Sequence, residues 1–173
     1  MIENKKLSET LIFLTKLLLF SIPLYLVIWL GIDLGFLQET VTKTVFSFLN
    51  LMGVSVERQG FLLIFENFSV NISKDCTGWK GLLFLSALIL STKASWKKKA
   101  AGLAVGLPAF FAFNLLRILF MIWLGMKNPE LFDLFHDFLW QFSMIIVVLV
   151  LWLMWTRIKI KSFANEYIKH GKK

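Results

Sequence analysis

Residues 100–124 read AAGLAVGLPAFFAFNLLRILFMIWL, an apolar run broken by one ionisable side chain, Arg117. A helix that crosses the ~30 Å hydrocarbon core of a bilayer needs roughly 20 such residues. The stretch therefore predicts a transmembrane helix, kinked at Pro108. Outward from it, three more segments meet the same criterion: about 11–32, with a second kink at Pro23, about 77–92, which is short, and about 138–155. Hydrophobic residues make up 57% of the 173, and mean hydropathy is +0.70. A soluble chain of this size could not bury that much apolar surface in one core. No small-residue cleavage site follows the first run, so a retained helix is expected there rather than a signal peptide. A single cysteine rules out an intramolecular disulfide. The fold expected is an all-α integral membrane protein with about four transmembrane helices, residues 1–173 forming one membrane domain.

The connection between the first two spans is too long for a plain loop. Leu37, Val41, Val45, Phe48, Leu49 and Met52 recur at helical spacing, with Gln38, Lys43 and Asn50 elsewhere. That pattern predicts an amphipathic helix over 36–52, lying at the membrane surface. After Gly53 the pattern changes to alternation and β-branched residues, punctuated by Gln59-Gly60 and Glu66-Asn67. A small extramembrane β element is expected over 54–73.

Orientation follows from where Lys and Arg fall. The N-terminal segment carries Lys5, Lys6 and Lys16, the turn after the second span carries Lys93 and Lys97 to Lys99, and the tail carries Arg157, Lys159, Lys161, Lys169, Lys172 and Lys173. The other two connections hold only Lys43, Arg58, Lys74 and Lys127, against eight carboxylates. The bias of thirteen to four places both termini in the cytoplasm and residues 33–76 and 125–137 outside, in a multi-pass protein of the cell membrane. The formal charge of +8 thus reads as a topology signal, not a nucleic-acid footprint, and no nucleic-acid partner is expected.

Topology brings three chemically capable residues to the outer side. Arg117 sits inside a span, where a charge costs at least ~2.5–3.5 kcal/mol on insertion scales and is rarely accidental; its plain alternative is an arginine that snorkels or pairs with a loop carboxylate. Asn114 lies one turn away on the same face and could orient it. Cys76, in Asp75-Cys76-Thr77-Gly78, opens the second span, where the helix dipole favours an anion; a lone cysteine at a boundary is otherwise a small apolar filler. His136 stands where the last span begins, with Asp133 three residues earlier able to fix its tautomer. A thiol, a general base and a cation are the parts needed for acyl transfer. Metal-ligand spacing and phosphate-binding glycine loops are lacking, so no cofactor and no metal is expected.

These pieces, Asp75-Cys76-Thr77-Gly78, then Asn114-Leu115-Leu116-Arg117-Ile118, then His136, resemble in order and spacing the exosortase/archaeosortase family of membrane-embedded cysteine transpeptidases. The resemblance covers residues of about 75–140. It implies Cys76 as nucleophile, Arg117 as the residue that stabilises the transition state or orients substrate, and His136 as acid/base, with Asn114, Asp133, Thr77 and Gly78 in support. It also implies the partners: secreted proteins whose C-terminal sorting signal is a motif, a transmembrane helix and a basic tail, and a lipid as acceptor. Many relatives have more transmembrane helices, so this chain resembles a reduced version. The competing expectation is a non-enzymatic membrane assembly factor or binding subunit, with Arg117 as structural glue. Thiol redox chemistry would lack a resolving cysteine.

Overall fold

The computed structural model describes residues 2–128 and 142–157. Helix α1, Ile2–Trp29, is 28 residues long and runs through Pro23. Helix α2 is Gly35–Leu51. Three short strands follow, β1 Glu57–Gln59, β2 Leu62–Ile64 and β3 Ser69–Asn71, then a 3-10 turn at Lys74–Thr77. Helix α3, Trp79–Ser91, has only 13 residues. Helix α4, Trp96–Lys127, has 32 and runs through Pro108. An apolar helix α5 occupies Phe142–Arg157. Among the described residues, α1 and α4 are long and apolar enough to cross a membrane, while α3 and α5 are shorter apolar helices.

At 1.5 Å per residue α4 extends about 48 Å and α3 about 20 Å. Two apolar cores accommodate this mismatch. In the first, α3 packs between α1 and α4, burying Leu85, Leu88 and Ile89 with Phe110 of α4 and Val148 of α5. Gly81 makes the packing possible, because a side chain there would overlap the Phe110 ring. At the far end of this bundle Trp152 Nε1 donates to Thr92 Oγ1 (3.0 Å), Lys93 pairs with Glu9 (3.2 Å), and Lys99 Nζ donates to the Leu90 carbonyl at the end of α3. The start of α1, the α3–α4 turn and the end of α5 thereby gather their basic residues at one end.

The second core lies beyond the N-terminal end of α3, where the remainder of α4 packs against α2 and the sheet segment. Val41, Val45 and Leu49 of α2, Leu63, Phe65 and Ile72 of the sheet segment, and Ile118 and Ile122 of α4 form it. The sheet is antiparallel in the order β1-β2-β3, with Gln59 opposite Leu62 across a tight hairpin and Leu63 opposite Val70. Gln38 Nε2 donates to the Ile72 carbonyl (2.7 Å), and Arg58 bridges Glu39 of α2 and the Gly60 carbonyl (2.9 Å). The apolar stripe expected on α2 is divided: Val41, Val45 and Leu49 are buried against protein, whereas Phe48 and Met52 are exposed together with Phe36 and Leu51. This helix presents apolar surface on two sides.

Candidate active site

Cys76 belongs to the 3-10 turn, not to the helix that follows. A helix beginning at about 77 was the expectation; α3 begins at Trp79 instead. The reason is local: Gly78 adopts φ 75°, a left-handed conformation that breaks helical continuity and that glycine tolerates at little steric cost. The turn is closed from within, Thr77 Oγ1 donating to the Lys74 carbonyl (2.7 Å) and Cys76 N–H to the Ser73 carbonyl (3.0 Å). Thr77 is fully buried, and its described contact supports the turn. Sγ of Cys76 lies 3.4 Å from Ser73 Oγ, and either group can donate.

One buried amide ties this turn to α4. Asn114 Nδ2 donates to the Cys76 carbonyl at 2.9 Å, while Asn114 Oδ1 accepts from Arg117 Nη2 at 3.3 Å. Asn114 has no solvent exposure, so losing either bond would leave a buried polar group unsatisfied, at about 1–3 kcal/mol each. Gly78 lets this happen, since a Cβ there would stand 3.1 Å from Asn114 Cγ. Arg117 is half-buried.

Beside this junction lies a cavity of about 520 Å³ between α1, α3, α4 and α5, reached by Asn114, Arg117, Gly78 and Gly81, with Asp75 and Lys80 also on its wall. Those last two form an ion pair of 2.8 Å, which the sequence reading missed; the signal was a lysine one turn past an acidic helix entry. Cys76 does not line this cavity. Its side chain instead belongs to the core under the sheet that also holds Ile118 and Ile122, and is 7% exposed. Trp79 is a further polar feature near the turn: its indole N–H is buried with no acceptor among the described residues, and the residue lines a recess of about 130 Å³ together with Asp75 and Lys80.

The structure thus brings together Cys76, Thr77, Gly78, Asn114 and Arg117. His136 and Asp133 lie outside the described residues. Among the described residues no cluster of three or more His, Cys, Asp or Glu could hold a metal ion.

No curated protein and no solved structure matches the chain. A family model described as transmembrane exosortase (EpsH) matches residues 4–155. That span includes all but the first two residues of α1, every element from α2 to α4, the Cys76 turn, the Asn114–Arg117 pair, and all but the end of α5. The chain belongs to the transmembrane exosortase family.

Proposed function

We propose that this chain is a multi-pass membrane cysteine transpeptidase, or protease, that cleaves the C-terminal sorting signal of secreted proteins and passes the new C-terminus to an acceptor, a lipid being the acceptor class. Its residues 1–173 form one membrane domain in which α1, α3, α4 and α5 cross the bilayer, both termini are cytoplasmic, and α2 with the sheet caps the outer side. Family membership supports the activity. The gathering of Lys93, Lys99 and the α5 terminus at one end of the bundle supports the orientation. Ten residues separate Arg117 from the end of α4 at Lys127, about 15 Å, so the site is recessed in the outer leaflet. Non-helical backbone is tolerated at that depth only when buried in protein or lining a cavity, which agrees with the closed, buried turn around Cys76 and Thr77.

The observation that carries the proposal is the Asn114 bridge, which holds the cysteine turn and the arginine of different helices in one hydrogen-bonded unit. In the first half-reaction His136 takes the proton of the Cys76 thiol, and the thiolate sulfur attacks the scissile carbonyl. Arg117 stabilises the resulting oxyanion, which collapses with breakage of the C–N bond. His136 gives a proton to the departing amine, and a thioester remains on Cys76. In the second half the acceptor's hydroxyl or amine, deprotonated by His136, attacks that thioester and the thiol is released. Asn114, Asp133, Thr77 and Gly78 position these groups. Because Cys76 is nearly covered, productive binding includes a displacement of cap side chains from the thiol.

The test is the size of a C-terminally tagged sorting-signal protein co-expressed with each variant at equal membrane abundance. Cys76→Ala and Cys76→Ser abolish processing, and His136→Ala lowers its rate by a factor on the order of 10²–10⁴. Arg117→Lys, which keeps charge but loses the planar fork, also fails to support it. Normal processing by Cys76→Ala would reject the enzyme reading in favour of an assembly factor.

A further inference from the structure

At the opposite, basic end of the bundle a second cavity of about 400 Å³ lies between α3, α4 and α5. Its floor is the small-residue face of α4, Gly102, Val105, Gly106 and Ala109, and Trp155 forms one side. Among the described residues, Lys98 is the only ionisable side chain on its wall. Val105 is 70% exposed, so the groove opens to the surroundings of the bundle at that position.

We infer that this groove holds one acyl chain of an anionic phospholipid of the cytoplasmic leaflet, with Lys98 meeting its phosphate. Three dimensions of the site agree with that occupant. A methylene group needs about as much room as a water molecule, ~30 Å³, so the groove accommodates roughly a dozen of them, most of one chain. Eleven residues of α4 separate Lys98 from Ala109, about 16 Å along the axis, which is close to half of the ~30 Å hydrocarbon core, the depth of one leaflet. Charge marks one end only, and Lys97 and Lys99 flank it in sequence. The alternative occupant, the transmembrane helix of a sorting signal, ends in a basic tail that these lysines would repel. A phosphate there is attracted instead, each lysine near an anionic lipid surface contributing about fivefold in binding. The site is independent of the Cys76 chemistry.

Full-length protein in nanodiscs of phosphatidylcholine doped with phosphatidylglycerol provides the test, read by native mass spectrometry as lipid retained per chain. Wild-type protein retains one phosphatidylglycerol in preference to phosphatidylcholine. Val105→Trp, which fills the mouth from an exposed position and leaves both cores intact, loses that lipid. Lys98→Gln lowers the preference for phosphatidylglycerol by about fivefold. Equal retention of the two lipids by wild type, or unchanged retention by Val105→Trp, would overturn the assignment. So would crosslinking of a photoreactive group at position 105 to a sorting-signal helix in place of lipid.

Discussion

Asn114 spends both halves of one amide on two other residues, donating to the Cys76 carbonyl and accepting from Arg117. Asn114→Leu keeps similar bulk but removes both bonds, and is expected to lower stability by about 1–3 kcal/mol for each group left unsatisfied and to reduce processing well beyond the accompanying loss of folded protein. Asn114→Asp keeps the acceptor for Arg117 while losing the donor to Cys76, and should retain more activity than leucine; equal failure of the two would assign the role to the bond donated to Cys76, which both lose, and normal processing by Asn114→Leu would assign the residue to packing alone. Gly78→Ala meets two penalties at once, a positive φ and a Cβ 3.1 Å from Asn114 Cγ. Its expected cost is about 1–2 kcal/mol, read as a lowered Tm in detergent. At this scale the sequence was partly legible. An arginine and an asparagine three positions apart on an apolar helix announce themselves by polarity, and the cysteine by its neighbours. The direction in which Cys76 points was not legible, because it depends on the 3-10 turn and the left-handed Gly78, and a two-residue change in where a helix begins rotates every side chain near it.

Among the elements, α2 and the sheet are joined by few polar contacts, and one of them responds to pH. The Arg58 hydrogen bond first, and then that from Lys43, hold the Glu39 carboxyl below its ordinary 4.5. A carboxylate whose value is lowered on folding contributes stability that is present above 4.5 and is lost as pH falls through the lowered value. Both partners are on the surface, so the effect is small. Amide exchange of β1 is therefore expected to quicken modestly as pH drops below about 4.5, after correction for intrinsic exchange, and Glu39→Gln should remove that dependence; the same acceleration in Glu39→Gln would contradict the assignment. The helix over 36–52 was readable because its apolar residues keep a 3.6-residue period. Which of them face protein was not: Phe48 and Met52 fit the stripe as well as Val45 and Leu49 do, and only the position of the sheet decides. The shortness of α3 was visible, but not its consequence, that α4 continues beyond the first core to anchor a second.

The whole molecule reads as a bundle with a basic end and a capped end, the proposed chemistry at the capped end and the proposed lipid at the other. Its orientation is testable in a Cys76→Ala background: a cysteine at position 97 is expected to resist an impermeant thiol reagent in intact cells, and one at position 57 to react. Labelling of position 97 would invert the topology and remove the shared outer site. The composition made the membrane class plain, and lysine counting supplied an orientation as an expectation; neither could show that the cysteine turn is shut beneath a cap, since that arrangement joins residues from α2, the sheet and α4 that are far apart in the chain. The central claim, that the Cys76 sulfur takes up the substrate as a thioester, is most directly tested by isolating the enzyme from cells that overproduce a tagged sorting-signal protein and mapping adducts by mass spectrometry. The expected result is substrate attached at Cys76, released by neutral hydroxylamine and missing in Cys76→Ala. Processing of the substrate at the wild-type rate by Cys76→Ala, with no adduct at that position in the wild type, would contradict it.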